Sequence, residues 1–429
     1  MERVVVTGIG AVTPFGFGIE RLWESVLNGK NGITKIKDLK ICGEIVGIAG
    51  CMPEFERSEK NANAFLQKYI PEDDCVAKFF MAVEEAIKMS GLNIDEIGPT
   101  GCIGSFIADR AMGPSAYLSE YIAILKDCGM GDNFNRRMFW DKLQKYPIAK
   151  ATPFNDRDSI NHFISRVYNI TGPQLSIGTA CASGTNAIGE ALLKIRQGSI
   201  DCAIAGGAFN FELTGMIGFT RIGALTTNPD PETACCPFDR NRSGFVMGSG
   251  CGILILENLS YAKKRGANIL CELKGYGSFS DAYRATDPDP DAKGAQRTIR
   301  ACLDDAKILP EGISYVNAHG TSTKMNDYTE TVALKRVLGD HAYKIPVSST
   351  KSMIGHGIMA AGAIEACVSI KSILENVVHK TRNWHERDSE LDLDYVPNEA
   401  RRCKVDNVLS NSFGFGGQNA SILFSRFTG

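Results

Sequence analysis

Residues 173–207 read PQLSIGTACASGTNAIGEALLKIRQGSIDCAIAGG, and this stretch carries the strongest indication of the fold class. A short apolar strand ends in a tight turn of small residues, and a helix follows over 183–199. A second strand follows over 202–209. Short apolar strands that alternate with helices are typical of an α/β protein, in which helices cover both faces of a buried sheet.

Residues 345–378, IPVSSTKSMIGHGIMAAGAIEACVSIKSILENVV, follow the same order of strand, turn, helix and strand. Each copy places small residues at the start of its helix, where the helix must pack closely against its neighbours. This internal repeat predicts two similar halves. We place the boundary after the strand GILILEN, which gives an N-terminal half at 1–260 and a C-terminal half at 261–429.

The rest of the chain mostly continues this alternation. Further strands are predicted over 3–10, 252–258 and 315–320, and further helices over 75–91, 294–308 and 327–339. The segment near 103–150 breaks the pattern with irregularly spaced Met, Gly and aromatic residues. We expect an insertion there that caps the sheet and shapes a substrate pocket.

Composition excludes several functional classes. The 429 residues are 44% hydrophobic and 22% charged, as in ordinary globular proteins, and the net charge of −2 gives no general attraction to nucleic acid. No apolar run is long enough to span a membrane, and the first residues, MERVVVTGIGAVTPFG, do not resemble a signal peptide. The fourteen cysteines contain no CxxC pair. We therefore expect a cytoplasmic protein in a reducing compartment.

Cys181 is the strongest candidate for a catalytic nucleophile. It follows a predicted strand end, lies in a turn of small residues and precedes a helix. Backbone N–H groups and the positive end of the helix are therefore expected to face the sulfur and to stabilise the thiolate. A thiolate attacks thioesters readily. The alternative is a cysteine that is merely packed in a tight turn.

Three further polar segments lie in glycine-rich surroundings. NAHGTST contains His319 at the end of a strand, and STKSMIGHG contains Lys351 and His356 at a second strand-to-helix turn. The chain has only six histidines, and two of them lie in these loops. NSFGFGGQN places Phe415 between glycines, which allow its N–H to face a pocket. Together with Cys181, these segments favour catalysis over a structural role.

Other sites are disfavoured by the same residues. The chain lacks HExxH and paired Cys/His spacings, so no metal site is predicted. Pro14 interrupts the early GIGAVTPFG where a phosphate-binding loop would need its helix, which argues against a dinucleotide site. A papain-like protease would leave Lys351 and one of the two histidines without a role.

The motifs TACASGTNAIG, NAHGTST, STKSMIGH with AAGAIE, and NSFGFGGQNA together resemble the elongating β-ketoacyl–acyl-carrier-protein synthases. The resemblance covers essentially the whole chain and is strongest to the type II enzymes of bacterial fatty-acid synthesis. It implies a thiolase-like fold with two duplicated halves in five α/β/α/β/α layers, usually as a homodimer. The implied partner is acyl carrier protein, whose phosphopantetheine carries the acyl and malonyl thioesters, so no separate cofactor is implied.

The resemblance also implies roles for the candidate catalytic residues. Cys181 would accept the acyl chain, and His319 and His356 would promote decarboxylation of the malonyl thioester. The backbone N–H groups of Cys181 and Phe415 would form an oxyanion hole. Lys351 would organise the site electrostatically and pair with Glu365.

Further residues are assigned by the same resemblance to the substrate entrance. Thr321 and Thr323 would hold the phosphopantetheine arm. Asp281 and Thr286, in SDAYRAT, would belong to a loop that gates entry beside Phe415. The acidic segment KYIPEDD at 68–74 departs from the basic residues that the family often offers to the carrier protein, so the docking surface stays open.

Three alternatives remain beside fatty-acid elongation. HGTSTKMNDYTETVALKRVLGDHAYKIPVSS and LDLDYVPNEAR are similar to ketosynthase α subunits of type II polyketide systems, which act with a chain-length partner. A non-catalytic chain-length subunit would typically lack the nucleophile that Cys181 provides. A thiolase would use a second cysteine near the end of the chain, where this one has Phe415.

Overall fold

The computed structural model describes residues 2–36, 46–54, 74–109, 123–129, 131–145 and 159–429. Its strands are β1 (Val4–Thr13), β2 (Gly16–Phe17), β3 (Thr34–Lys35), β4 (Ile48–Ala49), β5 (Ile103–Asp109), β6 (Gln174–Ile177), β7 (Cys202–Phe209), β8 (Gly250–Asn258), β9 (Cys271–Ser280), β10 (Tyr315–Asn317), β11 (Val347–Ser348), β12 (Val377–Val378), β13 (Arg401–Arg402), β14 (Asn407–Gly414) and β15 (Gln418–Ser425).

The helices that contribute to the layers and the site alternate with these strands. They are α1 (Ile19–Leu27), α2 (Asp74–Ser90), α3 (Ile94–Ile97), α4 (Arg136–Lys145), α5 (Ser159–Tyr168), α6 (Ser183–Arg196), α7 (Leu213–Arg221), α8 (Leu259–Lys264), α9 (Lys293–Ala306), α10 (Lys324–Leu338), α11 (Lys351–Ile354) and α12 (Ala361–Glu375). A further helical segment occupies 123–127. Within the described residues, no helix has both the length and the apolar character needed to cross a bilayer.

The central sheet shows the internal duplication directly. Its strand order in the described chain is β11-β10-β14-β15-β9-β1-β8-β7-β5-β6, with β2 attached to β1. In the first half the order from the edge is β6-β5-β7-β8-β1, and in the second it is β11-β10-β14-β15-β9. The first strand of each half along the chain, β1 or β9, therefore lies at the centre of the sheet, and the other strands follow in the same order towards each edge. The two similar halves predicted from the repeat are confirmed.

Helices cover the sheet on both sides and also separate its two halves. Helix α2 packs against β1 and β8, and α9 packs against β9 and β15. Helices α6 and α12 lie between the half-sheets and contact strands of both. This is the five-layered α/β/α/β/α arrangement that the resemblance implies. The strands in the middle of the sheet are buried on both faces, and every residue of β1 and β8 is buried.

The two middle helices begin next to each other because small residues line their contact. A Cβ atom added to Gly184 would lie 2.8 Å from the carbonyl oxygen of Met359, and one added to Gly362 would lie 2.1 Å from Oγ1 of Thr185. Only glycine leaves enough room at these two places. The close approach brings the turns that precede α6 and α12 together, and these turns carry the candidate site residues.

The predicted helices are confirmed to within three residues at either end. Two other expectations need correction. The second repeat ends in β12, which pairs with β13 in a separate ribbon, whereas the counterpart of β7 is the later strand β14. The insertion was expected from about 103 to 150, but 103–109 form the buried strand β5, and residues 110–122 and 146–150 lie outside the described part of the chain. Gly104, Ser105 and Asp109 interrupt the apolar residues of this strand, so its sequence lacks the continuous apolar run that marks β1 and β8.

Candidate active site

Cys181 lies at a strained elbow between β6 and α6. A 3₁₀ turn over Ala180–Ala182 leads directly into the helix, and Ala180 has a φ of +49°, which is uncommon for a residue other than glycine. The hydroxyl of Ser183 holds the turn, since it accepts from the N–H of Thr179 at 2.8 Å and donates to the carbonyl of Ala180 at 2.6 Å. The predicted strand-turn-helix context of Cys181 is confirmed.

Burial and the groups around the sulfur act in opposite directions on the pKa of Cys181. Burial raises the pKa of the thiol to about 11, while the charge of Lys351 and the N–H groups of Phe415 and of Cys181 itself draw it down. The N–H groups thus act in the predicted direction, but the loss of hydration outweighs them. A pKa of about 11 corresponds to a thiol in the free site near neutral pH.

Both candidate histidines meet the cysteine. The rings of His319 and His356 lie 5.2 Å apart between centroids, at 83° to each other. Sγ of Cys181 and one nitrogen of each ring all lie within 4.8 Å of one another. All three residues are buried. The structure thus brings together residues that are far apart in the sequence, at the near-contact distances that chemistry requires.

The hydrogen bonds of the two histidines define their tautomers. Nδ1 of His319 lies 3.2 Å from Nζ of Lys351, and Nδ1 of His356 accepts from the N–H of Ile358 at 3.2 Å. Each Nδ1 is therefore an acceptor, and each Nε2 carries the proton. Burial lowers the pKa of both rings well below the usual value, and the charge of Lys351 lowers it further. The cavity is thus lined by two neutral N–H donors.

Lys351 is buried and uses all three of its donors. Its ammonium contacts Oε1 of Glu365 at 2.5 Å, the carbonyl of His319 at 2.7 Å and Nδ1 of His319 at 3.2 Å. The predicted pairing of Lys351 with Glu365 is therefore present. Burial raises the pKa of Glu365 to about 7, although Lys351 acts in the opposite direction. Because the cation sits between ring and carboxylate, it holds the His319 loop in place.

Glu330 also supports this loop, and sequence analysis missed it. Its carboxylate accepts from the N–H groups of His319 and Gly320, both at 2.8 Å, and from Nδ2 of Asn411 at 3.2 Å. Burial raises the pKa of Glu330 to about 7. Glu330 lies on α10, and its only signal in the sequence is a glutamate on the face of a helix that packs inwards.

A cavity of about 300 Å³ connects these residues with the surface. Cys181, His319 and His356 line it, and so do Thr321, Thr323, Thr286, Asp281 and Phe415, which are the predicted entrance residues. The hydroxyls of Thr321 and Thr323 lie 2.9 Å apart. Every residue predicted from the resemblance to contact substrate therefore faces one continuous space.

The entrance is formed by two loops that are tied to each other. The N–H of Asp281 donates to the carbonyl of Gly417 at 3.0 Å, and the N–H of Gly416 donates to the carbonyl of Ala285 at 2.7 Å. Oδ1 of Asp281 accepts from Nδ2 of Asn419 at 2.7 Å. Gly416 and Gly417 have positive φ values of 76° and 70°, which other residues rarely adopt. The Phe415 loop and the Asp281 loop therefore contact one another at the mouth of the cavity.

The spacing of Cys181, His319 and His356 would also suit three metal ligands, but their hydrogen bonds would not. A metal-bound histidine presents a lone pair to the metal and usually donates its other N–H to a carboxylate or carbonyl. Here Nδ1 of His319 faces an ammonium and Nδ1 of His356 faces a backbone N–H. Both Nε2 atoms therefore present protons to the cavity, which fits an oxyanion and not a cation.

Comparison with known families assigns this arrangement. Residues 1–262 match the family model described as the N-terminal domain of β-ketoacyl synthase, and residues 270–385 match its C-terminal domain. The chain belongs to the β-ketoacyl synthase family. Among curated relatives of this β-ketoacyl synthase, 3-oxoacyl-[acyl-carrier-protein] synthase 2 of Coxiella burnetii is 38% identical over 99% of both chains. The enzyme of the same name from Staphylococcus aureus strain COL is also 38% identical, again over 99% of each.

This β-ketoacyl synthase is also similar to solved structures of ketosynthases. A ketosynthase in a complex described as a type II polyketide synthase acyl-carrier protein with its ketosynthase (AntDE:AntF) is 34% identical, with a TM-score of 0.83 over 99% of this chain and all of the other. A chain of the ishigamide ketosynthase/chain length factor is 30% identical, with a TM-score of 0.85 over the full length of both.

Proposed function

We propose that this chain is a β-ketoacyl–acyl-carrier-protein synthase, an acyltransferase that extends acyl thioesters by decarboxylative Claisen condensation. The observation that carries the proposal is the meeting of one thiol and two neutral imidazole N–H donors at the base of a single cavity. Each step of the reaction uses a different part of this arrangement.

The first step transfers the acyl group to Cys181. Sγ attacks the thioester carbonyl carbon, and the N–H groups of Cys181 and Phe415 stabilise the oxygen that becomes negative. The carbon–sulfur bond to the pantetheine thiol then breaks. The proton that leaves Cys181 ends on the departing sulfur, so charge is conserved. Because the free thiol has a raised pKa, proton transfer must accompany attack and does not precede it.

The second step forms the carbon nucleophile. The carbonyl oxygen of a malonyl thioester binds between the Nε2–H groups of His319 and His356, the terminal carboxylate leaves as carbon dioxide, and its bonding electrons form an enolate. Two neutral donors in a buried site stabilise that enolate more strongly than water does. The enolate carbon attacks the acyl group on Cys181, and the sulfur leaves with the electron pair and regains a proton.

The substrates are carried on the phosphopantetheine of acyl carrier protein. Thr321 and Thr323 line the cavity together with the catalytic residues, and their hydroxyls would bind the amides of the arm. Thr286 and Asp281 lie at the entrance beside Phe415. A structural relative in complex with an acyl-carrier protein supports this partner. No cofactor takes part in the proposed chemistry, and the proposed location is the cytoplasm.

Fatty-acid chain elongation is the pathway that we propose first. Two curated relatives named 3-oxoacyl-[acyl-carrier-protein] synthase 2 match over nearly the whole chain at 38% identity. A specialised type II polyketide or polyene pathway is the second candidate, favoured by the structural relatives at 34% and 30% identity. A non-catalytic chain-length subunit is disfavoured because Cys181 and both histidines are present and correctly assembled.

We further propose that the enzyme is a dimer formed through β6. This strand is the last of the sheet, so one of its edges has no neighbour within the described chain. Gln174 and Leu175 on it are exposed, and an uncovered edge strand readily pairs with a second chain. A homodimer would join two copies of β6 around a two-fold axis. A chain-length partner, if one exists, would use the same edge.

Mass spectrometry after mixing with acyl carrier protein thioester tests the proposed function. The wild-type chain should gain the mass of one acyl group on the peptide that contains Cys181. Cys181→Ala should gain none, while the matched variant Cys403→Ala, changed at a half-buried cysteine outside the cavity, should still be acylated. Acylation of Cys181→Ala would show that the nucleophile is misassigned.

A further inference from the structure

The elbow that carries Cys181 is connected by a chain of hydrogen bonds to the other half of the molecule. The hydroxyl of Tyr276, on β9, donates to Oδ1 of Asn186 at 2.8 Å. Nδ2 of Asn186 donates to Oγ1 of Thr179 at 2.7 Å. Thr179 lies two residues before Cys181, so a side chain of the C-terminal half is connected through Asn186 to the turn that carries the nucleophile.

Tyr276 is fixed at both ends. Its ring lies against Gly189 of α6, where an added Cβ would come within 2.3 Å of the ring carbon Cε2. Its backbone N–H donates to Oδ2 of Asp305 at 3.0 Å. Nη1 of Arg196 donates to Oδ1 and Oδ2 of the same carboxylate at 2.8 and 2.7 Å. Gly189 and Arg196 both belong to α6. The helix of the nucleophile therefore contacts β9 directly, through the Tyr276 ring at Gly189, and indirectly, through Asp305 of α9 at Arg196.

Asn186 connects Tyr276 to the elbow by hydrogen bonds. Asn186 is only 5% exposed, and both ends of its amide are used, one as acceptor from Tyr276 and the other as donor to Thr179. On the other side of the turn, Ser183 holds the backbone of Thr179 and Ala180. A left-handed residue such as Ala180 persists only where its surroundings fix it. These two sets of contacts provide that support.

We propose that Tyr276 and Asn186 are positioning residues for Cys181. They hold the elbow so that Sγ and the N–H of Cys181 face the thioester together with the N–H of Phe415. This role rests on the proposed function, since it concerns acyl transfer to Cys181. It is specific to that step, because His319 and His356 are held by Lys351, Glu330 and Ile358 and do not contact this network.

The test compares two half-reactions in the full-length enzyme. Tyr276→Phe removes only the hydroxyl and should lower the rate of Cys181 acylation at saturating acyl carrier protein thioester about tenfold, with KM changed less than about twofold. Release of labelled carbon dioxide from malonyl carrier protein should stay within about twofold of wild type. Tyr343→Phe, which removes a hydroxyl from an exposed tyrosine, is the matched control and should leave both rates unchanged.

A second variant and a double substitution check the pathway of the effect. Gly189→Ala should displace the Tyr276 ring and slow acylation to a similar degree. The acylation rate of the double variant Tyr276→Phe with Thr179→Val should lie within about twofold of the rate of the slower single variant. The two effects should not add up, because both substitutions break the same network. Equal slowing of both half-reactions, or wild-type acylation by Tyr276→Phe, would overturn the proposal. Absence of acylation in the wild-type chain would instead overturn the proposed function.

Discussion

The ammonium nitrogen of Lys351 lies 3.2 Å from Nδ1 of His319, and this contact decides which nitrogen of the ring carries the proton. Since an ammonium has no lone pair, the ring must accept there and present Nε2–H to the cavity. The same ammonium is held by Glu365. We therefore expect the buried ion pair to affect catalysis through the histidine that it orients.

Removing one partner of this pair should destabilise the fold. Lys351→Met leaves Glu365 buried without its cation, which should lower the free energy of unfolding by about 3–5 kcal/mol. Lys335→Met is the control, because Lys335 and Asp392 form a partly exposed pair whose loss should cost less than about 1 kcal/mol. Urea denaturation measures both. If Lys351→Met lowers the free energy of unfolding as little as the control does, Glu365 is not left as a buried, unpaired charge.

The double variant separates stability from catalysis. Lys351→Met with Glu365→Leu removes both charges and should recover much of the lost stability, since a buried ion pair can often be replaced by apolar groups at little cost. Malonyl decarboxylation should not recover, because the ammonium that faces Nδ1 of His319 and fixes its tautomer is then missing. If the double variant regains decarboxylation together with stability, Lys351 acts only on the fold.

The two histidines should affect one half-reaction far more than the other. His319→Ala or His356→Ala removes one N–H donor to the enolate, which should slow carbon dioxide release about 10²–10³-fold. Acylation of Cys181 should change much less. Because burial holds both pKa values well below the usual one, the wild-type decarboxylation rate should stay level from pH 8 to pH 6. A fall centred near pH 6.5 would mean that an exposed, ordinary imidazole carries the reaction.

Alkylation of Cys181 in the free enzyme should depend steeply on pH. With a pKa of about 11, roughly one thiol in 10⁴ is ionised at pH 7, and the thiolate fraction rises about tenfold for each pH unit up to pH 10. Iodoacetamide labelling, quantified on the Cys181 peptide, should therefore rise through this range. Labelling of free glutathione, the reference thiol, should level off near pH 9 because an ordinary thiol is then mostly ionised. A Cys181 labelling rate that is already level at pH 7 would show that the thiolate is stabilised.

A charge on the edge strand should separate the proposed dimer. Leu175 is 38% exposed on β6, and Leu175→Asp would place a carboxylate where two copies of the strand meet. Light scattering should then report the monomer mass, while the wild-type chain gives twice that mass. Leu309→Asp, at a leucine that is 75% exposed elsewhere, should leave the dimer intact. A dimer that survives Leu175→Asp but not Leu309→Asp would place the interface on another surface.

Much of this site could be predicted because its signals are local. The turn around Cys181 and the glycines around Phe415 reflect backbone conformations that neighbouring residues must adopt. The internal repeat could also be predicted, because helical periodicity and short apolar strands are visible within a few neighbouring residues. Strand β5 was missed because Gly104, Ser105 and Asp109 interrupt its apolar residues, so it lacks the continuous apolar run by which β1 and β8 were predicted.

Properties that depend on distant residues could not be predicted in this way. The support of the His319 loop by Glu330 and the link from Tyr276 to Asn186 join residues that are 11 and 90 positions apart. The sequence alone predicted which residues meet at the cavity and where the backbone turns. Only packing decided that Cys181 rests as a thiol and that both imidazoles stay neutral, because hydration is lost only when the separate segments close around the cavity.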